Sequence, residues 1–265
     1  MATTSPSRIL LRKSATTMPP EHLAIILVAA FFGGIVTGAV GFGSGPLMMG
    51  VYLIVLSPKI AAPLMMFSAL FFVPASLRTV WHAIQWRRIV PFAIGALVGA
   101  PLGAFVLVSV PTDLLKGLIG VILIGYCIIM VARRRQIVIS PRTPLPDALV
   151  GVTGGLVGGG AAIPGVVWSL WTSMRGWSKE EQRAVYQPLN LATVTFAFAS
   201  LWYAGLVTRE VLDLALYVVP VTLLGVAFGI PLYRRISEAG FRKLILALLA
   251  ALGVYLVADV GWALI

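Results

Sequence analysis

The chain has 265 residues, of which 59% are hydrophobic and only 11% are charged. A soluble domain carries about a quarter charged residues, so this composition excludes an ordinary soluble fold. The formal net charge of +11 comes from basic residues in short loops between apolar runs. That placement is typical of membrane topology signals and contact with anionic lipid, and it argues against nucleic-acid binding.

Eight apolar runs indicate an all-α polytopic membrane protein, because lipid tolerates only backbones that satisfy their own hydrogen bonds. A Ser/Thr-rich stretch precedes the first run, and residues 1–22 are expected to form a flexible tail in which Met18 would make an ordinary start. The single cysteine, Cys127, lies inside the fourth run and excludes a disulfide framework. The runs cover residues 23–56, 60–77, 89–110, 114–132, 148–172, 184–206, 211–233 and 244–262.

The first run is too long for one straight helix. From Leu23 to Pro58 it would extend roughly 54 Å, against about 30 Å for a bilayer core. The Gly-rich stretch from Gly41 to Pro46 is where a bend costs least, because glycine accepts any φ and proline cannot donate to the helical ladder. The fifth run contains a similar stretch, Gly151 to Pro164, and we interpret both as broken helices.

The two Gly-rich stretches indicate an internal duplication. Gly34, Gly38, Gly41 and Gly43 correspond to Gly151, Gly155, Gly158 and Gly160 at a constant offset of 117 residues. The third and seventh runs also share a pattern, Gly-x-Pro-Leu from Gly99 and from Gly229. The sequence therefore predicts two membrane repeats of four elements, residues 23–132 and 148–262, joined by a basic linker over 133–147.

The distribution of basic residues tests how the repeats are oriented. If all eight runs cross the membrane, the two sides receive eleven and nine Lys or Arg residues. If both broken runs turn back, fourteen lie on one side and six on the other; if only the second does, the split is seventeen to three but the symmetry is lost. The strong cytoplasmic excess and the symmetry together favour two re-entrant runs, and hence inverted repeats.

A helix broken at membrane depth exposes unpaired N–H groups where its second half begins, and these attract an anion. In the first half the donors are expected from Gly43, Ser44 and Gly45, with Gly41 letting the ligand approach closely. In the second half they are expected from Gly159, Gly160 and Ala161, with Gly158 in the corresponding role. Two such turns would form a small, net-positive pocket with no buried charged side chain.

Other polar residues extend this candidate site. Gln187 and Asn190 lie on one face of the sixth run, which is expected to face the bundle because polar groups in lipid are costly. Arg78, at the end of the second run, is placed to guide an anion or to anchor the helix end. No Asp or Glu lies in the middle of a run, so proton coupling would use the substrate, His82 or a terminal carboxylate. Sodium coupling through carbonyls of the broken turns is equally open.

The chain resembles the sulfite exporter TauE/SafE family over residues 23 to 260. The resemblance rests on Gly38-x-x-Gly41-x-Gly43-Ser44-Gly45-Pro46, on Gly155-x-x-Gly158-Gly159-Gly160, and on the glycines from Gly95 to Gly103. It implies a multi-pass protein of the inner membrane that exports sulfite, an organosulfonate or a related small carboxylate. The second repeat departs from the pattern at Ala161 to Ile163, before Pro164.

Alternative functions are an anion channel and a non-transporting structural subunit. An enzyme is not expected, because neither a nucleophile elbow nor a dinucleotide fingerprint fits Gly43-Ser44-Gly45. One cysteine and two histidines provide no metal cluster, and no cofactor is expected. The expected partners are a small anionic substrate and the lipid bilayer, with a homodimer as an open alternative.

Overall fold

The computed structural model describes residues 18–39, 43–132, 139, 144–232 and 238–263. Within these residues all regular secondary structure is helical, which confirms the predicted fold class. The predicted tail and the linker over 133–147 lie mostly outside the described residues, and the domain boundaries stay predictions. The helices are α1 (Pro20–Ala39), α2 (Ser44–Val55), α3 (Pro58–Leu77), a 3₁₀ segment (Arg78–Ala83), α4 (Trp86–Ser109), α5 (Thr112–Ala132), α6 (Leu145–Ala161), α7 (Gly165–Ser173), α8 (Lys179–Tyr203), α9 (Arg209–Leu232) and α10 (Glu238–Ala263).

Among the described residues, six helical segments are long and apolar enough to cross a bilayer. They belong to α1, α3 with its 3₁₀ extension, α4, α5, α9 and α10. By contrast, α2 has 12 residues and α7 has nine, or roughly 18 Å and 14 Å of helix, well short of a bilayer core. The chain is therefore a multi-pass membrane protein in which two short helices follow the broken positions.

Both broken runs turn back on themselves. In a straight helix Gly33 and Met48 would be roughly 22 Å apart, yet a Cβ added at Gly33 would collide with the Met48 side chain. In the same way Gly154 lies directly against the indole ring of Trp168, although 14 residues of straight helix span roughly 21 Å. Hence α1 with α2, and α6 with α7, form helical hairpins.

Glycine-lined helix pairs join the first half of the chain to the second. A Cβ added at Gly34 in α1 would lie 2.9 Å from the Cα of Gly225 in α9, and one added at Gly151 in α6 would lie 3.0 Å from the Cα of Gly95 in α4. Only glycine allows backbones to approach so closely. These two contacts involve corresponding positions of the two halves, since Gly34 matches Gly151 and Gly95 matches Gly225 in the repeat pattern.

The directions of the paired helices can be determined from their contacts. Residue numbers rise together along α1 and α9, where Gly34 meets Gly225 and Gly38 meets the backbone of Gly229. They run in opposite senses along α3 and α8, because the Phe67 and Phe198 rings are 5.4 Å apart while Ser76 contacts Arg183. Thus α1 and α9 are parallel, whereas α3 and its counterpart α8 are antiparallel.

The pair α5 and α10 follows the same rule as α3 and α8. Gly117 lies near Val260, and the Cys127 thiol donates to the Leu246 carbonyl at 3.3 Å, so these two helices are antiparallel. Both pairs join helices that hold corresponding places in the two halves. The inverted orientation of the repeats stays a prediction, and these chain directions support it.

Two loops that the all-crossing arrangement would place on opposite membrane faces are in contact. His82, in the 3₁₀ segment, lies 2.8 Å from Glu180 at the start of α8. Arg88, at the start of α4, lies 2.9 Å from Glu181. Exposed ion pairs of this kind contribute little stability, but they require both loops to lie on one face.

We expect single cysteines at His82 and Glu180 to react with a membrane-impermeant maleimide from the same side of the membrane. In a Cys127→Ser background, the double variant His82→Cys/Glu180→Cys should also form a disulfide upon mild oxidation. The control is Asp113→Cys, which follows the far end of α4 and should react from the opposite side. Labelling of positions 82 and 180 from different sides would contradict the hairpin arrangement.

The close contact of α4 with α6 predicts that Gly95→Ala destabilises the protein. The added Cβ would collide with the Ala148 carbonyl oxygen, and overpacking of this kind costs about 1–3 kcal/mol. Gly125→Ala is the matched control, because no atom lies within 4 Å of its Cβ position. Thermal unfolding of both purified variants in detergent would test this, and equal stabilities would contradict the packing role.

Candidate functional site

A cavity of about 40 Å³ lies between the two helical hairpins, where both breaks meet α3 and α8. A site for one water molecule needs about 10–15 Å³ by the same kind of measure, so this space suits a small oxyanion or about three waters. Its wall combines backbone of both breaks with polar and apolar side chains. The lining residues are Thr37, Gly43, Ser44, Gly45, Pro46, Met65, Ala69, Phe72, Val73, Ser76, Ala162, Ile163, Pro164, Gly165, Gln187, Asn190 and Val194.

The first break presents the positive end of α2 to this cavity. Gly43 precedes α2 with φ of 86°, a left-handed conformation that strongly favours glycine. The N–H groups of Ser44 and Gly45 are in the first helical turn and so have no carbonyl partner within the helix. Pro46 has no N–H, and the Leu47 N–H donates to the Gly43 carbonyl at 3.2 Å. The donors that face the cavity therefore lie at positions 44 and 45.

The second break has a different backbone. α6 ends at Ala161, and Ala162 has φ of 56°, the one positive value at a non-glycine residue in the described part of the chain. The Val166 and Val167 N–H groups donate back to the carbonyls of Ile163 and Pro164. Gly165, the first residue of α7, is the position where helix geometry leaves an N–H without an intrahelical partner.

The cavity brings together five of the residues that the sequence singled out. They come from the first break and from α8, and both groups face the same space. Gly41 was predicted to join them but lies outside the described residues. The five are Gly43, Ser44, Gly45, Gln187 and Asn190.

The structure corrects the position of the second break. The sequence placed the donors at Gly159, Gly160 and Ala161, but α6 continues through Ala161, so these amides lie inside a helix. A Cβ at Gly159 would collide with the Ala100 carbonyl, and one at Gly160 would lie 3.3 Å from the Gly103 carbonyl. Gly158 packs against Thr193 and Pro164 instead. The glycines of α6 thus serve close helix contact, and the turn follows them.

Arg78 is not part of the cavity wall. It is exposed and begins the 3₁₀ segment, two residues after Ser76, whose hydroxyl does face the cavity. Its predicted role in guiding an anion stays a prediction.

Arg183 is a buried cation that the sequence analysis did not find. Its side chain is 2% exposed, and it donates to the Ser76 hydroxyl at 2.9 Å and to the Gly38 carbonyl at 3.5 Å. Arg183 is therefore a buried charge next to the cavity, although it does not line the wall. Arg183 comes one residue before the sixth predicted run, although its spacing to Gln187 and Asn190 (four and seven residues) already places all three on one helical face.

The position of Arg183 follows from the electrostatics of the break. The carboxyl-terminal end of α1 carries carbonyl groups with no helical partner and a partial negative charge. A cation at this end donates hydrogen bonds to the unpaired carbonyl groups and balances the partial negative charge. The Gln187 amide nitrogen donates to the same Ser76 hydroxyl at 2.9 Å. Ser76 thus links the end of α1 to α8 at the edge of the cavity.

The described residues contain no group of three or more His, Cys, Asp or Glu side chains that could hold a metal ion. What the cavity offers is amide and hydroxyl groups, close to the buried Arg183. The Gln187 Oε1 and Asn190 Oδ1 atoms are buried and accept no hydrogen bond from the described residues.

Two helical hairpins that meet at one small cavity are typical of multi-pass membrane transporters. The model of the family "Sulfite exporter TauE/SafE" matches residues 26–256, and the chain belongs to that family. This is a family of membrane transporters for sulfur-containing anions rather than of enzymes. No curated protein and no solved structure matched the chain.

Replacing Arg183 by leucine is expected to destabilise the protein by about 2–4 kcal/mol. The substitution removes a charged hydrogen-bond donor from the Ser76 hydroxyl and from the end of α1. A buried hydrogen bond from a charged donor contributes substantially to the free energy of unfolding. Arg87→Leu, at an exposed position four residues from the 3₁₀ segment, is the control. Thermal unfolding in detergent measures both, and a stable Arg183→Leu protein would contradict the proposed role of this cation.

Proposed function

We propose that this protein is a secondary transporter that exports a small anion, such as sulfite, an organosulfonate or a related small carboxylate, across the inner membrane. The observation that carries the proposal is that both helix breaks wall one small cavity. Family membership supports the transporter class, and the cavity provides a place for the anion.

The donors in the cavity wall suit an anion. The N–H groups of Ser44 and Gly45 lie at the positive end of α2, and the Gly165 N–H lies at the start of α7. Arg183 adds a buried positive charge behind Ser76. An anion at this point gains hydrogen bonds and a favourable field without needing a salt bridge of its own, so it can also leave.

The remainder of the wall limits what fits. Met65, Phe72 and Val73 of α3 and Val194 of α8 contribute apolar groups to the wall. These apolar groups would disfavour a large hydrated ion. Together with the volume of about 40 Å³, they favour an anion with a compact charged group and a small apolar part.

The proposed mechanism is alternating access in a protein built from two inverted repeats, with each moving unit containing helices of both repeats. The antiparallel pairs α3 with α8 and α5 with α10 support inversion, as does the shared face of the loops that contain His82 and Glu180. The parallel, glycine-lined pairs α1 with α9 and α4 with α6 would move as units because their backbones are in contact. The proposed anion site is lined mainly by the two breaks, α3 and α8.

The proposal predicts that Gly43→Val reduces saturable counterflow of radiolabelled sulfite in proteoliposomes at least tenfold. A β-branched residue at φ of 86° is strained by about 1–3 kcal/mol, and α2 would have to shift its first turn away from the cavity. Gly205→Val is the matched control, since Gly205 has φ of 74° with no atom within 4 Å of its Cβ position.

Normal counterflow by Gly43→Val, at equal amounts of inserted protein, would refute the site. Rapid anion flux that shows no counterflow in the unmodified protein would instead indicate a channel. A protein that moves no anion under either condition would favour a structural subunit.

A further inference from the structure

The cavity contains hydrogen-bond acceptors as well as donors, which a simple anion site does not need. Gln187 is 2% exposed and lines the cavity, and its Oε1 atom receives no hydrogen bond from the described residues. The Asn190 Oδ1 atom, one helical turn further along α8, is in the same condition. We infer that the transported anion carries a hydrogen-bond donor of its own. The Gln187 Oε1 atom accepts the hydrogen bond from this donor. This inference rests on the proposed function and specifies its substrate class.

The orientation of the Gln187 amide follows from the hydrogen bonds of Ser76. The Ser76 hydroxyl donates its single proton to the Thr37 carbonyl at 3.2 Å. Its two lone pairs accept from Arg183 and from the Gln187 nitrogen, both at 2.9 Å. If the amide were turned over, Oε1 would need the Ser76 proton and the Thr37 carbonyl would lose it. The nitrogen of Gln187 therefore faces Ser76, and its oxygen is left without a donor among the described residues, in a side chain that lines the cavity.

A ligand that displaces water from Gln187 has to replace the hydrogen bond that the water would supply. A fully deprotonated oxyanion offers only acceptors, so it would leave Oε1 buried without a donor, at a cost of about 1–3 kcal/mol. A monoanion with an O–H or N–H group can pair with the backbone donors of the site and with the Gln187 acceptor at the same time. Its charged oxygens meet the Ser44 and Gly45 amides, and its donor meets Gln187.

The substrate class is thus hydrogen sulfite rather than the sulfite dianion, or a sulfonate or carboxylate with a hydroxyl or amino group. A bound sodium ion would also use the amide oxygens. It is disfavoured here because the positive end of α2 faces the cavity and the buried Arg183 lies directly behind Ser76 in its wall. The charge of the site favours an anion, and its acceptors select the protonated form.

Sulfamate and methanesulfonate test this inference directly. Both are compact monoanions at neutral pH, and they differ by an amino group in place of a methyl group. Each is used to compete with radiolabelled sulfite counterflow in proteoliposomes containing the full chain. We expect the unmodified protein to prefer sulfamate roughly tenfold in inhibition constant, because only sulfamate donates to Gln187.

The variant Gln187→Met, which keeps the length of the side chain but has no amide, should lose this preference while still being inhibited by methanesulfonate. The matched control is Gln182→Met on the same helix, whose amide donates to the Trp177 carbonyl outside the cavity. It should keep the full preference. If Gln187→Met does not assemble, Ser76→Ala replaces it in the experiment. Without the Ser76 hydroxyl the Gln187 amide can rotate, so the ratio of the inhibition constants of methanesulfonate and sulfamate should become smaller.

Three results would overturn the inference. Equal inhibition of the unmodified protein by the two anions would overturn it while leaving anion transport intact. A preference for sulfamate that persists in Gln187→Met would assign it to another group. Equal inhibition by sulfamate and methanesulfonate that depends on sodium, with the sodium dependence lost in Gln187→Met, would assign the amide oxygens to a bound cation. By contrast, absence of counterflow with sulfite, with an organosulfonate and with a small carboxylate would refute the proposed function itself.

Discussion

A helix that ends inside a bilayer releases backbone groups that water cannot satisfy there, and the centre of this protein is arranged around that constraint. The break between α1 and α2 leaves carbonyl groups on one side and N–H groups on the other. Arg183 and Ser76 reach the carbonyl end, where Arg183 donates to Gly38 and Ser76 to Thr37. The N–H end faces the cavity. One end of the break is thus satisfied by protein, and the other is available to a ligand.

The scaffold is nearly symmetric, while the site is not. Corresponding glycines bring α1 against α9 and α6 against α4, so the two hairpins are held in the same way. The polar side chains of the cavity, however, come mainly from α8, whereas its counterpart α3 contributes Met65, Ala69 and Phe72 besides Ser76. A duplicated fold places two hairpins face to face, and divergence of the two middle helices then gives the cavity one polar and one apolar side.

Most of the helical architecture could be predicted from the sequence, and the location of the first break with it. The Gly41 to Pro46 stretch contains the residues that a tight bend requires, and Gly43 does have a positive φ. The second break was placed too early because its glycines match the first set in spacing. Their role in α6 is to contact α4, which depends on a neighbour that spacing cannot reveal. Arg183 was missed for a related reason: a basic residue near a helix start usually lies at the membrane surface.

The sequence by itself determined the membrane class, the helical fold and the location of the first bend, because these depend on local composition and on the conformational preferences of glycine and proline. Only the tertiary structure decided which hairpin residues face the cavity, that Ala162 rather than a glycine makes the second turn, and that a buried arginine fixes the orientation of Gln187 through Ser76. These features depend on which helices pack together. Hydrogen-bond partners more than a hundred residues apart in the chain are set by that packing and by no local pattern.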